Sequence, residues 1–214
     1  MKRGGLLLFL CFSVFFLGWI GFEQNPYILI QTELGDIELE VYLDKSPITA
    51  RNFLKYVDEG LFDDGSFYRV VRMDNQPNDD IKIEVIQGGI GQRQGVKRFP
   101  PIEHETTETT GVLHKNGVIS MARSQPGTAS SEFFICINDQ PELDFGGLRN
   151  PDGQGFASFG IVVRGIDVVR LIQDQPGERQ YLETPIRINK IVRIQKKQPF
   201  HSEKIYGGPF FGGR

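Results

Sequence analysis

The chain has 214 residues, 39% hydrophobic and 24% charged, which is enough apolar material for one well-filled core. Its formal net charge of -3 and pI near 5.7 leave no basic field to hold a nucleic-acid backbone. Cys11 lies in an apolar leader and Cys136 in a strand-like run with no neighbouring base, so a disulfide framework and a cysteine nucleophile are both disfavoured.

In chain order, Lys2 and Arg3 precede an uncharged apolar run from Leu6 to Phe22, about 17 residues, the lower limit for a spanning helix. Residues 1–22 therefore read as an export signal or a membrane anchor. Trp19, Ile20 and Phe22 put bulk where a signal peptidase needs small residues. That favours an uncleaved anchor in the cytoplasmic membrane, with everything after it exported to the periplasm or its equivalent. A soluble exported protein, released by cleavage, is the alternative.

From Tyr27 the hydrophobic period becomes two. Residues 27–32 and 35–43 predict a hairpin about Leu34-Gly35-Asp36, with Ile37, Leu39, Val41 and Leu43 on the buried face. A helix follows, with Ser46 as N-cap, Pro47 at its first position, Gly60 as its stop and Ile48, Phe53, Leu54 and Val57 as its stripe. Further strands are predicted at 66–71, 83–89, 117–122, 131–137, 156–163 and 186–194, and a second helix at 165–173 before a Pro176-Gly177 turn. Residues 72–84 form a polar excursion, with turn chemistry from Asn75 to Asp79, and residues 100–111 read as a solvated acidic loop. The pattern predicts one mainly β domain over 23–196, a closed antiparallel barrel with two helices, followed by an irregular tail over 197–214. His104, His114 and His201 lack ligand spacing, and "GGIGQRQG" opens no helix, so neither a metal nor a nucleotide cofactor is expected.

One residue resists this plain reading. Arg69 interrupts the apolar run "GSFYRVV", where alternation alone would turn it to water. In order, "FYRVV", "VIQGG", "GVISMAR" with "SSEFFICI", "ELDFGG" and "FASFG" resemble the cyclophilin family of peptidyl-prolyl cis-trans isomerases. The resemblance covers roughly Tyr27 to Gln195. It implies an eight-stranded barrel capped by two helices, an active groove on the outer face, and acceleration of X-Pro rotation in exported or unfolded proteins without metal or cofactor. The protein is expected to act as a monomer on proline-containing polypeptides.

Carried over residue by residue, the resemblance makes Arg69 and Gln87 catalytic. Phe134 becomes the floor of a proline pocket, Leu143 a wall and Ala122 a backbone-binding position, while Val85, with Ile83 or Glu84 beside it, and Phe156 complete the substrate site. Arg123, Glu132, Glu142 and Phe156 stand where well-known members have asparagine, glutamine, tryptophan and histidine. A proline-peptide binding module or chaperone scaffold with weak turnover is the alternative these departures leave open.

Overall fold

The computed structural model describes residues 24–195, so the proposed leader and the tail lie outside the described residues. Among the described residues no helix is long and apolar enough to cross a membrane. The strands are β1 (Tyr27–Thr32), β2 (Gly35–Val41), β3 (Gly65–Val71), β4 (Val85–Gly89), β5 (Val118–Met121), β6 (Glu132–Cys136), β7 (Ala157–Arg164), β8 (Gly177–Glu178) and β9 (Tyr181–Ile194). The helices are α1 (Pro47–Asp58), α2 (Thr107–Thr110) and α3 (Ile166–Gln173), with a 3-10 turn at Pro141–Leu143. Eight strands run antiparallel in the order β1-β2-β7-β5-β6-β4-β3-β9, and β9 pairs back onto β1. These eight strands close into a barrel; β8 is a short strand appended to β9.

Strand alternation fills the interior. Ile28, Ile30, Ile37, Leu39, Ile188 and Ile191 are buried inside the barrel. Phe53 of α1 descends on this core, its ring centroid 5.3 Å from Phe62, 5.6 Å from Phe133 and 5.0 Å from Phe159. Helix α1 begins at Pro47 as its sequence dictates, but Ser46 does not cap it: the Ser46 hydroxyl donates to the Ser158 carbonyl at 2.8 Å. The Glu105 carboxylate instead accepts from the backbone N–H groups of Ile48 (3.1 Å) and Thr49 (2.7 Å), placing an anion at the positive end of the helix. The 100–111 loop is therefore structural rather than merely solvated, and it contains the one-turn helix α2. The α1 stripe also differs at one position, since Ile48 is 38% exposed and Tyr56 takes its place among the buried residues.

Two turns are displaced from their expected sites. Thr32 pairs with Gly35, so the first hairpin turns at Glu33-Leu34; Glu178 pairs with Tyr181, so the last turns at Arg179-Gln180. The second shift decides part of the site chemistry. The 72–84 excursion is closed at its base by buried Gln76, which donates to the carbonyls of Arg72 (2.7 Å) and Ile83 (2.8 Å).

Candidate active site

The position of Arg69 depends on a bulge. Phe67 and Val70 both belong to the barrel interior, three residues apart, which strict alternation forbids. The register of β3 slips between Phe67 and Arg69 against both β4 and β9. The extra residue turns Tyr68 and Arg69 to the outer face, the use of a bulge that re-aims a side chain. Pairing then builds a row across the outside of the barrel: Arg69 of β3 opposite Gln87 of β4, and Gln87 opposite Phe134 of β6. In β6 the alternation is regular, so Phe133 enters the core while Phe134 joins an outer cluster with Val71, Ile83, Val85, Cys136 and Leu143.

The guanidinium is held from two sides. Arg69 Nη1 donates to Gln87 Oε1 at 2.7 Å, while Nε donates to Gln180 Oε1 at 3.1 Å and Nη2 to the same oxygen. One N–H on each of Nη1 and Nη2 remains. Burial draws the Arg69 pKa below its ordinary value, yet an arginine stays protonated in any protein environment.

Gln87 is fixed in turn, because its Nε2 donates to the Tyr68 hydroxyl (3.0 Å) and that hydroxyl donates to Glu132 Oε2 (2.8 Å). The Glu132 carboxylate also accepts from Gly91 N at 3.1 Å. This wire has a forced polarity: arginine only donates at one end and a carboxylate only accepts at the other, so the Gln87 carbonyl must face Arg69. Burial first, and then the Glu132 charge, push the Tyr68 hydroxyl above its ordinary pKa, which keeps it a donor.

Beside Arg69 lies a cavity of about 270 Å³ that brings together all seven residues expected from the sequence: Arg69, Gln87, Val85, Ala122, Phe134, Leu143 and Phe156. Ile83 lines it as well, whereas Glu84 accepts from Asn138 Nδ2 at 2.9 Å. Phe134 forms the floor, 4% exposed, with Phe156 edge-on at 5.2 Å and the buried His114 ring stacked behind it at 5.9 Å. His114 is clamped between Asp144 (2.7 Å) and Ser120 (3.0 Å), and it is structural rather than exposed. The N–H of Ala122 donates to the Glu132 carbonyl (2.8 Å), which fixes the Ala122 backbone at the wall of this cavity. Cys136 is fully buried in the wall, and desolvation holds its thiol well above the usual range.

The departures noted in the sequence acquire physical reasons. The Arg123 side chain, 1% exposed, is bidentate to Asp152 at 2.7 and 2.9 Å and lies over the Phe156 ring at 5.1 Å. It supports the Phe156 ring at the wall of the cavity. The Glu142 carboxylate accepts from Leu148 N at 2.8 Å, so it closes its own loop. Arg149 reaches across that edge to the Ile81 carbonyl and to Asp79 (3.2 Å), tying the excursion beside the pocket.

Comparison with known proteins agrees with this architecture. The family model described as cyclophilin type peptidyl-prolyl cis-trans isomerase/CLD matches residues 27–194. A peptidyl-prolyl cis-trans isomerase of Acinetobacter baylyi is 34% identical over 179 residues, covering 81% of this chain and 86% of that one. Peptidyl-prolyl cis-trans isomerase B of Escherichia coli is 35% identical over 150 residues, 68% of this chain and 83% of its own. Among solved structures, a cyclophilin type isomerase of Cryptosporidium parvum superposes with a TM-score of 0.61 at 21% identity, covering 80% of this chain and 98% of that one. With the barrel, the matched span and these relatives in agreement, the chain belongs to the cyclophilin-type peptidyl-prolyl cis-trans isomerases.

Proposed function

We propose that Arg69 drives rotation about an X-Pro bond whose proline ring sits on Phe134. Amide resonance sets a barrier of ~18–20 kcal/mol, and no covalent bond is made or cut on the way over it. Twisting the amide turns the prolyl nitrogen into a hydrogen-bond acceptor. A fixed donor beside that nitrogen binds the twisted state better than either planar one. Arg69 supplies such a donor; Leu143, Val85, Ile83 and Phe156 hold the ring while the acyl side turns, and the Ala122 carbonyl takes a backbone N–H of the substrate. Gln87 orients the guanidinium. The observation that carries this reading is the guanidinium pinned between Gln87 and Gln180 at the mouth of the apolar cavity. A structure of the Cryptosporidium parvum protein was determined in the presence of the dipeptide Ala-Pro, which supports proline-containing peptides as ligands. The test is a cis-trans exchange assay on a short proline peptide: the parent chain accelerates it, and an uncatalysed rate at saturating peptide would overturn the reading.

Tyr68→Phe keeps the ring but removes the acceptor for the Gln87 amide. Both hydrogen bonds of the hydroxyl are lost, and losing the hold on Gln87, about 1–1.5 kcal/mol, should lower kcat roughly five- to ten-fold with KM little changed. A matching rise in KM with constant kcat would show a binding role instead. The groove's rim gives a second expectation. Cyclosporin should bind weakly, since Glu142 supplies neither the apolar area nor the N–H of an indole, and tight binding in a titration would contradict the alignment of the rim.

The substrates we favour are exported, partly unfolded chains, with residues 1–22 kept as an uncleaved anchor in the cytoplasmic membrane. Bulky Trp19, Ile20 and Phe22 support this reading. Mass spectrometry of the native protein should find residue 1 or 2 at the amino terminus; a start near Phe22 or Glu23 would establish a cleaved signal.

A further inference from the structure

A second cleft adjoins the proline pocket and shares Arg69 and Gln87 with it. Its volume is about 970 Å³; one wall is the 72–84 excursion, and the other is the β8–β9 hairpin with Arg179, Gln180 and exposed Tyr181. The acidic groups of this cleft are already paired. Asp79 faces Arg149 at 3.2 Å and Asp74 faces Arg72 at 3.4 Å. The donors are not. Arg179 has no hydrogen bond or ion pair among the described residues, and Arg69 is held only by the neutral amide oxygens of Gln87 and Gln180. Arg69, Arg72 and Arg179 line the cleft and Arg149 reaches its edge through Asp79, against two aspartates, on a chain whose net charge is -3.

Arg179 occupies an unusual place. It is at the tip of a two-residue hairpin turn with φ 57°, a left-handed backbone that glycine takes freely and arginine does not. Its side chain stands at the cleft while the next residue, Gln180, clamps Arg69. The same turn therefore fixes the proposed catalytic donor and presents an unpaired cation beside it.

We propose that this cleft is a subsite for an anionic side chain, carboxylate or phosphate, carried by the substrate next to its proline, with Arg179 as the charge it meets. The proposal rests on the proline-pocket reading above and adds the class of segment preferred: prolines with an acidic flank. The expected preference is about two- to five-fold, equivalent to about 0.4–1 kcal/mol, within the range of a partly exposed ion pair. Salt should weaken it.

The experiment uses the full chain in non-ionic detergent and peptides that differ at one residue, alanine, glutamate, phosphoserine or lysine, placed in turn at each of two positions on either side of the proline. At a position on one side, kcat/KM for glutamate or phosphoserine should exceed that for alanine about two- to five-fold and lysine should fall below it. About 0.5 M salt should shrink the difference. A preference confined to phosphoserine identifies phosphate as the ligand, and one that includes glutamate identifies carboxylate. Arg179→Gly, which suits the left-handed backbone, should erase the ratio, and Arg179→Glu should invert it toward lysine. Equal turnover at every position, or a preference that survives Arg179→Gly, overturns the proposal. The alanine peptide keeps the two readings apart: normal turnover on it without acidic preference sinks only the subsite, and no turnover sinks the isomerase site. The same ratios taken from Kd by titration judge the subsite in that second case.

Discussion

Arg69→Ala is expected to lower kcat/KM about 10- to 100-fold while leaving the barrel folded. One preorganised donor to a developing charge is worth about 2.7–4 kcal/mol, and a twisted amide nitrogen carries less charge than an oxyanion, so the loss should fall toward about 1.4–2.7 kcal/mol. Folding is spared because Arg69 lies on the outer face and its partners, Gln87 and Gln180, are half-buried amides that water can serve. The check is a peptide exchange assay together with circular dichroism of the variant. A folded Arg69→Ala protein with parental turnover would make the arginine in "GSFYRVV" an ordinary surface residue.

Phe134→Ala should act on binding and stability together. Removing the floor of the pocket strips the proline ring of its largest apolar contact, about 1.5 kcal/mol or roughly ten-fold in KM. Burial of Phe134 predicts a folding cost as well. Deleting a core phenylalanine costs about 3–5 kcal/mol, and the value here should lie at or below the lower end, because the ring borders a cavity and belongs to the outer cluster rather than the barrel interior. Urea denaturation and a KM measurement separate the two effects. Unchanged KM in the folded variant would remove Phe134 from the substrate site.

Much of this was legible in the sequence where the physics is local. Alternation in residues 37–43 places Ile37, Leu39, Val41 and Leu43 inside, and all four are buried. Pro47 and Gly60 bracket α1, and Gly60 takes a left-handed φ of 64° just past its end. The seven expected site residues line one cavity, and the family resemblance rather than periodicity singled them out.

What was illegible depends on distant pairing. Gln180 lies 111 residues from Arg69, in a hairpin whose turn is set by an arginine in a glycine-like conformation. The bulge at Tyr68 leaves no local mark, since a residue is extra only relative to the partner strand. Glu105 as the cap of α1 and Arg123 as the support of Phe156 are likewise contacts across the fold, invisible to periodicity.

Directed hydrogen bonds from Arg69 are the core of this mechanism, and Arg69→Lys tests them because it keeps the charge and loses the planar fork. The measurement is exchange NMR of one proline peptide bound to the parent and to the variant, which reads on-enzyme cis-trans rotation separately from affinity. The account predicts that the peptide still binds and that its bound-state exchange slows about ten-fold or more, toward the alanine variant. Exchange as fast as on the parent would mean that positive charge alone suffices, and it would contradict the geometry on which this mechanism is built.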